Sequence, residues 1–293
     1  MMLCCCQNHE ELIMSENKTF SFELFPPKTD KGFENLKNTV NTLNKLNPEF
    51  FSVTYGAGGS TQTNTFKTVD WLRENNIETA PHLSCIGSSR DEILDILNRY
   101  RGQGIKRIVA LRGDLPSGAG LGGLGDLNHA NELVELMRSD YGDEFFIEVA
   151  AYPETHPQAV SAKSDIDYLK KKADAGANSA ITQYFYNADA YFAFVDSCDK
   201  AGIHIPVVPG IMPITNYVQL ARFSEACGAE IPRWIKKRLE GYGDDLDSIQ
   251  AFGQEVVSQM CQRLIDNDVP GLHFYTMNKS DPTLAVWNGL SIS

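Results

Sequence analysis

No apolar run in this 293-residue chain approaches the ~20 residues that a membrane-spanning helix requires, and no secretory apolar segment follows its start. A cytoplasmic protein is therefore expected. Metal-type spacing is missing too: the seven cysteines include no Cys-x-x-Cys pair, and their odd number argues against a disulfide framework. Three of them, Cys4, Cys5 and Cys6, crowd a polar N-terminal stretch. A redox or metal site there competes with thiols on a frayed end that share no role, and the frayed end is the better reading. Positive charge is also short. Lys and Arg total 26 against 38 Asp and Glu, a net charge of −12, which excludes a broad basic face for nucleic acid. An anionic small molecule remains open wherever basic side chains gather locally. Without a signal peptide, the sequons at Asn17 and Asn278 carry no meaning. The sequence contains no linker, low-complexity tract or internal repeat, so one domain over residues 18–293 is expected after a flexible lead of residues 1–17.

What is present is alternation. Strand-like segments are Phe20–Phe25, Phe50–Tyr55, Thr79–Ser84, Arg107–Arg112, Phe146–Tyr152, Ser179–Phe185, Pro206–Met212 and Leu272–Met277. Stretches with helical apolar spacing separate them, such as Phe33-Leu36-Val40-Leu43. Eight such units predict an α/β fold of the (β/α)8 TIM-barrel class, whose chemistry sits at the strand C-terminal ends. Composition is ordinary for a globular protein, at 42% hydrophobic and 22% charged residues. Two stretches exceed a minimal barrel: the glycine-rich loop Leu115–Asp126, and Ile231–Asp268, read as a short helix after Pro232 and a longer one. Asp281–Leu290 is a candidate closing helix.

Gly120, Gly122 and Gly125 form a literal G-x-G-x-x-G, but residues 114–119 separate it from its strand. A dinucleotide fingerprint must follow the strand directly and open a helix, so an active-site loop is the stronger reading. Strand parity is more informative. In Ser21-Phe-Glu23-Leu-Phe25, Glu23 shares a face with Ser21, and Pro26-Pro27 ends the strand at the barrel mouth. Among apolar neighbours a carboxylic acid holds its proton nearer neutral pH, as a general acid requires. The alternative is a carboxylate neutralised by a buried Arg or Lys, and position alone does not choose. Arg112 and Asp114 share parity around Gly113; a planar guanidinium there suits phosphate, although an Arg-Asp ion pair gives the same pattern. Asp165, Tyr168 and Lys172 lie on one helical face beside Lys171. Such a face can hold a nucleotide through ribose hydroxyls and pyrophosphate. A solvated charged face has the same spacing, and spacing favours it.

Taken in order, nine stretches resemble the flavin-dependent 5,10-methylenetetrahydrofolate reductase family. They are Ser21–Pro27, Phe51–Ala57, Ala80–Cys85, Ile108–Pro116, Val149–Pro157, Asp174–Asn178, Ile181–Phe185, Pro209–Pro213 and His273–Asn278. The resemblance implies a (β/α)8 barrel with FAD at the C-terminal face and Glu23 as general acid. It implies flavin contacts from Tyr55, Ala57, His82, Arg112, Gly113, Asp114, Ala130, Tyr152, His156, Ala159, Asp165, Tyr168, Lys171 and Lys172. Thr54, Asp114, Gln183, Gln219, Phe223, Tyr275 and Lys279 are then the positions for nicotinamide or folate. Asp114, ionised beside the flavin and pterin, would stabilise cationic charge on the folate.

The implied activity is reduction of methylenetetrahydrofolate to 5-methyltetrahydrofolate by NADH or NADPH, with ping-pong kinetics, supplying methyl groups for methionine synthesis. Glu23 would protonate the departing folate N10. No metal is implied, and self-association into a homo-oligomer is. The chain also stops without the long C-terminal regulatory region of the eukaryotic enzymes, which implies the short bacterial-type form without S-adenosylmethionine inhibition. Three positions depart from the pattern: Lys279 replaces an expected Arg, His129 an aromatic hydroxyl, and Tyr168 a small amide. A lysine ammonium cannot clamp a carboxylate bidentately. A proline-dehydrogenase-like FAD barrel would share fold and cofactor without explaining Glu23. A non-catalytic folate-binding barrel would not need Glu23, Asp114 and Gln183 together.

Overall fold

The computed structural model describes residues 18–55, 59–113 and 125–291. Ala57, Asp114, the Cys4–Cys6 cluster, the 1–17 lead and most of the glycine-rich loop lie outside the described residues. Among the described residues nine strands, all paired in parallel, form one sheet: β1 (Thr19–Leu24), β2 (Phe50–Val53), β3 (Thr79–Ser84), β4 (Arg107–Leu111), β5 (Phe146–Ala151), β6 (Ser179–Thr182), β7 (Val207–Val208), β8 (Gly210–Ile211) and β9 (Gly271–Tyr275). Their order, β7-β6-β5-β4-β3-β2-β1-β9-β8, ends on both sides in strands separated by Pro209 alone. These are two halves of one stave. Proline has no N–H to extend a ladder, so the stave breaks there, and the two halves pair with opposite ends of the sheet to close the barrel. The expected strand Pro206–Met212 is thus real but interrupted.

The chain crosses at Gly210, whose N–H donates to Thr182 Oγ1 at 2.8 Å. A Cβ at Gly210 would stand 2.1 Å from the Thr182 carbonyl oxygen and 2.6 Å from the Tyr275 ring. Gly210→Ala should therefore lose about 1–3 kcal/mol in urea denaturation through overpacking. An unchanged midpoint would show that the join relaxes freely.

The helices follow from amphipathic spacing and their caps. α1 (Asp30–Leu43) buries Phe33, Leu36, Val40 and Leu43, and Thr29 caps its Gly32 N–H. Ser89 and Glu92 form a capping box on α3 (Arg90–Gly102), and Ser161 caps α5 (Ala162–Asp174). The remaining helices are α2 (Gly59–Glu74), α4 (Ala130–Tyr141), α6 (Ala188–Lys200), α7 (Tyr217–Cys227), α8 (Arg233–Tyr242), α9 (Leu246–Ile265) and α10 (Ser280–Trp287). The expected short and long helices after Pro232 are α8 and α9, and α10 is the closing helix. No described helix is long and apolar enough to cross a membrane.

Two cores result. Outward strand residues such as Phe22, Leu24, Phe51 and Phe274 pack with the helices in the large core. Phe50, Ala80, Val109 and Ile181 form a separate small cluster, with Leu111 and Val208 against it. Around that inner cluster the barrel is polar, with Ser21, Ser52, His82, Glu148, Ser179 and His273 all buried. Arg107 bridges Glu49 and the buried Glu148, and its guanidinium lies over the rings of Phe50 and Phe146.

Candidate active site

β1 ends where its register fixes Glu23 opposite Ser52 of β2 and Tyr275 of β9. The end is clamped: Asn278 donates to the Phe25 carbonyl and accepts its N–H, while Thr276 Oγ1 donates to the Glu23 carbonyl at 2.6 Å. Glu23 is not surrounded by apolar side chains, as parity alone suggested. Its Oε2 lies 3.5 Å from His82 Nε2 and 4.0 Å from His273 Nε2, so two imidazoles are its polar neighbours. Parity selects the face of a strand; it does not say which residues arrive from the neighbouring strands. Neither is a Lys or Arg its counter-charge among the described residues. Burial pushes the His82 imidazole down to about 4, against the opposing pull of Glu23, so His82 is neutral at physiological pH. Its Nε2 makes no hydrogen bond within the described residues.

From His82 a cavity of about 660 Å³ opens at the strand C-terminal ends. It is lined by Thr54, Tyr55, His82, Arg112, Gly113, Ala130, Tyr152, His156, Ala159, Asp165, Tyr168 and Lys172, residues brought from β2 to α5. Spacing alone favoured a solvated Asp165–Lys172 face; instead Asp165, Tyr168 and Lys172 turn toward this cavity. Lys172 donates to the Ala150 carbonyl, and burial lowers its ammonium to about 8, with Asp165 opposing. Asp165 Oδ2 accepts from the His156 N–H at 2.7 Å. Tyr152 meets the His156 ring edge-on at 4.5 Å, and His129 lies 5.4 Å from Tyr168. Gly113 has φ +87°, and a Cβ there would meet Ser84 Cβ at 2.8 Å, so the backbone itself requires glycine.

The other expected residues lie elsewhere. Lys171 is outside this cavity, with its ammonium 4.6 Å from the Tyr168 ring centre. Gln183 follows β6, its Oε1 accepting from the Tyr184 N–H. Tyr275 donates to the Thr182 carbonyl at 2.7 Å. Gln219 and Phe223 lie on α7, and Lys279 is exposed at the start of α10. Sequence reading missed Ser84, Ala150 and Gln158. Ser84 and Ala150 stand two residues from His82 and Tyr152 and share their faces, so parity could have found them. Gln158, which accepts from the Arg112 guanidinium, had no such signal.

The fold alone is shared with a solved structure described as an uncharacterized protein from Clostridium thermocellum that binds two copies of 5-methyl-5,6,7,8-tetrahydrofolic acid; TM-score is 0.65, identity 15%, and 94% of each chain is covered. Sequence comparison is decisive. The methylenetetrahydrofolate reductase family profile matches residues 8–291. The chain belongs to the methylenetetrahydrofolate reductase family. It is 40% identical over 273 residues to the 5,10-methylenetetrahydrofolate reductase of Salmonella typhimurium, covering 93% of this chain and 90% of that protein. The corresponding protein of Buchnera aphidicola from Acyrthosiphon pisum is 40% identical, with 98% of both chains covered. Methylenetetrahydrofolate reductase (NADH) 1 of Arabidopsis thaliana is 38% identical, and this chain covers 48% of it. Membership makes this methylenetetrahydrofolate reductase family protein an oxidoreductase, as the nine stretches implied.

Proposed function

We propose that this chain reduces 5,10-methylenetetrahydrofolate to 5-methyltetrahydrofolate, with NADH or NADPH as reductant and FAD in the mouth cavity. What carries the reading is the convergence of one buried cation, one neutral buried imidazole and aromatic rings on a cavity beside Glu23. Its volume of about 660 Å³ falls within the ~300–1,000 Å³ of pockets that enclose cofactor-sized ligands. FAD, when bound, supplies hydride chemistry, taking a hydride from the reduced nicotinamide and giving one to the folate in ping-pong order.

The chain's residues divide the remaining work. Lys172 and Arg112 offer positive charge to the pyrophosphate, and Asp165 offers carboxylate oxygens to ribose hydroxyls. Glu23 delivers a proton to the folate N10 as the five-membered ring opens. Thr54 and Gln183 contact nicotinamide or pterin, with Tyr275 beside them, and Asp114 stabilises the cationic folate. Gln219, Phe223 and Lys279 extend along the folate tail. Lys171 adds charge outside the cavity.

Lys172 gives a test with its own pH signature. Lys172→Met should weaken flavin binding about ten- to a hundredfold, the loss of one charge-assisted contact. In the unsubstituted protein the lysine titrates at about 8, so binding of the anionic pyrophosphate requires proton uptake above that pH. Flavin affinity measured by fluorescence should therefore be flat below about 8 and weaken above it, by up to tenfold per pH unit. An affinity independent of pH in both proteins would remove Lys172 from the pyrophosphate site.

A further inference from the structure

A second cavity, of about 380 Å³, lies at the opposite, N-terminal end of the barrel. Ser21, Glu49, Arg107, Glu148, Ser179 and Val208 are among its lining residues. The Glu148 carboxylate is 2% exposed, and its Oε2 makes no hydrogen bond within the described residues. A cavity of this size with charged side chains in its wall has room for water. Ser21 lies between it and the barrel centre. Its Oγ stands 2.7 Å from His273 Nδ1, because Ser21 and His273 are register partners on β1 and β9 and face inward together. The other ring nitrogen, His273 Nε2, is 4.0 Å from Glu23 Oε2 and 3.5 Å from Ser52 Oγ. Lined up, these groups run from the cavity at one end of the barrel to the Glu23 carboxyl group at the other.

We propose that Glu23 is reprotonated from below, by His273 and Ser21 acting as a relay to water in the N-terminal cavity. The inference rests on the reading of Glu23 as the acid. Its motive is geometric: folate and flavin cover the C-terminal mouth while the proton is needed, whereas the lower cavity lies at the opposite end. His273 is a positioning and proton-holding residue here and does not touch the substrate. In the balanced step, His273 gives its Nε2 hydrogen to the Glu23 carboxylate. Ser21 gives its hydroxyl hydrogen to Nδ1 and takes one from a cavity water, whose deficit is restored from bulk solvent. A side-chain rotation of Glu23 or one bridging water spans the 4.0 Å gap. When product leaves and the mouth opens, Nε2 regains a hydrogen from site water and Nδ1 returns its own through Ser21, resetting the ring.

The charged and titratable groups facing His273 are Glu23 from β1, His82 from β3, Glu148 from β5 with Arg107 from β4, and Tyr275 on its own strand.

The test compares the two half-reactions in Ser21→Ala, Ser21→Thr and Val208→Phe, the last adding bulk at the cavity wall. At pH 8, where hydronium is scarce and resupply of the acid's proton limits the step, Ser21→Ala and Val208→Phe should slow flavin reoxidation by methylenetetrahydrofolate about tenfold. At pH 6 the difference should shrink to about twofold or less, and Ser21→Thr should restore the pH 8 rate. A loss equal at every pH, or none, overturns the relay while leaving Glu23 as the acid if Glu23→Gln still blocks the step. An independent arm needs neither flavin nor folate. NMR of isotope-labelled histidine in the free protein should find His273 as the Nε2–H tautomer, exchanging with solvent more slowly in Ser21→Ala and Val208→Phe. An Nδ1–H tautomer, or exchange unchanged by both substitutions, contradicts the relay whatever Glu23 does.

Discussion

Glu23→Gln should leave reduction of the bound flavin by NADH within about twofold of normal and slow the folate half-reaction about a hundred- to ten-thousandfold. Glutamine keeps the shape and the backbone clamp from Thr276 and Asn278, so folding and the cavity walls are preserved. What it lacks is the exchangeable carboxyl proton that the proposed mechanism delivers to the departing N10. Hydride transfer from nicotinamide needs no such proton from this side chain, which is why the two half-reactions separate. Equal losses in both would mean that Glu23 shapes the site and does not act as the acid.

Arg107→Met should have the largest effect on stability, a loss of about 3–5 kcal/mol at neutral pH, because it leaves Glu148 buried without its cation. Burial already holds the Glu148 carboxyl above the usual range, with Arg107 opposing, and removal of the guanidinium raises it further. A carboxyl whose folded value is raised favours the protonated native state. The penalty is therefore absent below the unfolded value, about 4.3, and grows as pH rises above it. Urea denaturation of Arg107→Met should show the deficit shrinking toward pH 4. Adding Glu148→Gln should recover most of it. A deficit that is uniform with pH, or untouched by Glu148→Gln, would place the effect in lost packing over Phe50 and Phe146.

The fold was legible because hydrophobic alternation is local. β3 spans the expected Thr79–Ser84, and crossover helices such as α1 and α3 carry their own apolar stripe and cap. Strand ends were less legible where aromatic residues prolong a strand-like pattern. β6 stops at Thr182, and the Tyr184-Phe185 pair that looked like its continuation is buried by packing after the chain leaves the sheet. Pro209 was visible, yet its consequence, a stave shared by both ends of the sheet, belongs to closure and to no local pattern.

The site divides the same way. Residues at strand ends, such as His82 and Arg112, could be placed from parity. The use made of Asp165 and Lys172 depended on which way α5 turns, which spacing does not say. The inner polar column was invisible because its pairs are far apart in sequence: Ser21 and His273 are 252 residues apart, and Arg107 and Glu148 are 41. Glu23 was consequently assigned apolar neighbours, and two imidazoles stand there.

In the proposed function, one mouth cavity serves nicotinamide and folate in turn through a bound flavin. Anaerobic stopped-flow absorbance of the purified protein addresses it directly. The expected result is a yellow protein that bleaches with NADH or NADPH and regains its colour when methylenetetrahydrofolate is added afterwards, with no nicotinamide present. A protein that stays colourless after incubation with FAD, or one that bleaches and is not reoxidised by the folate, would contradict it.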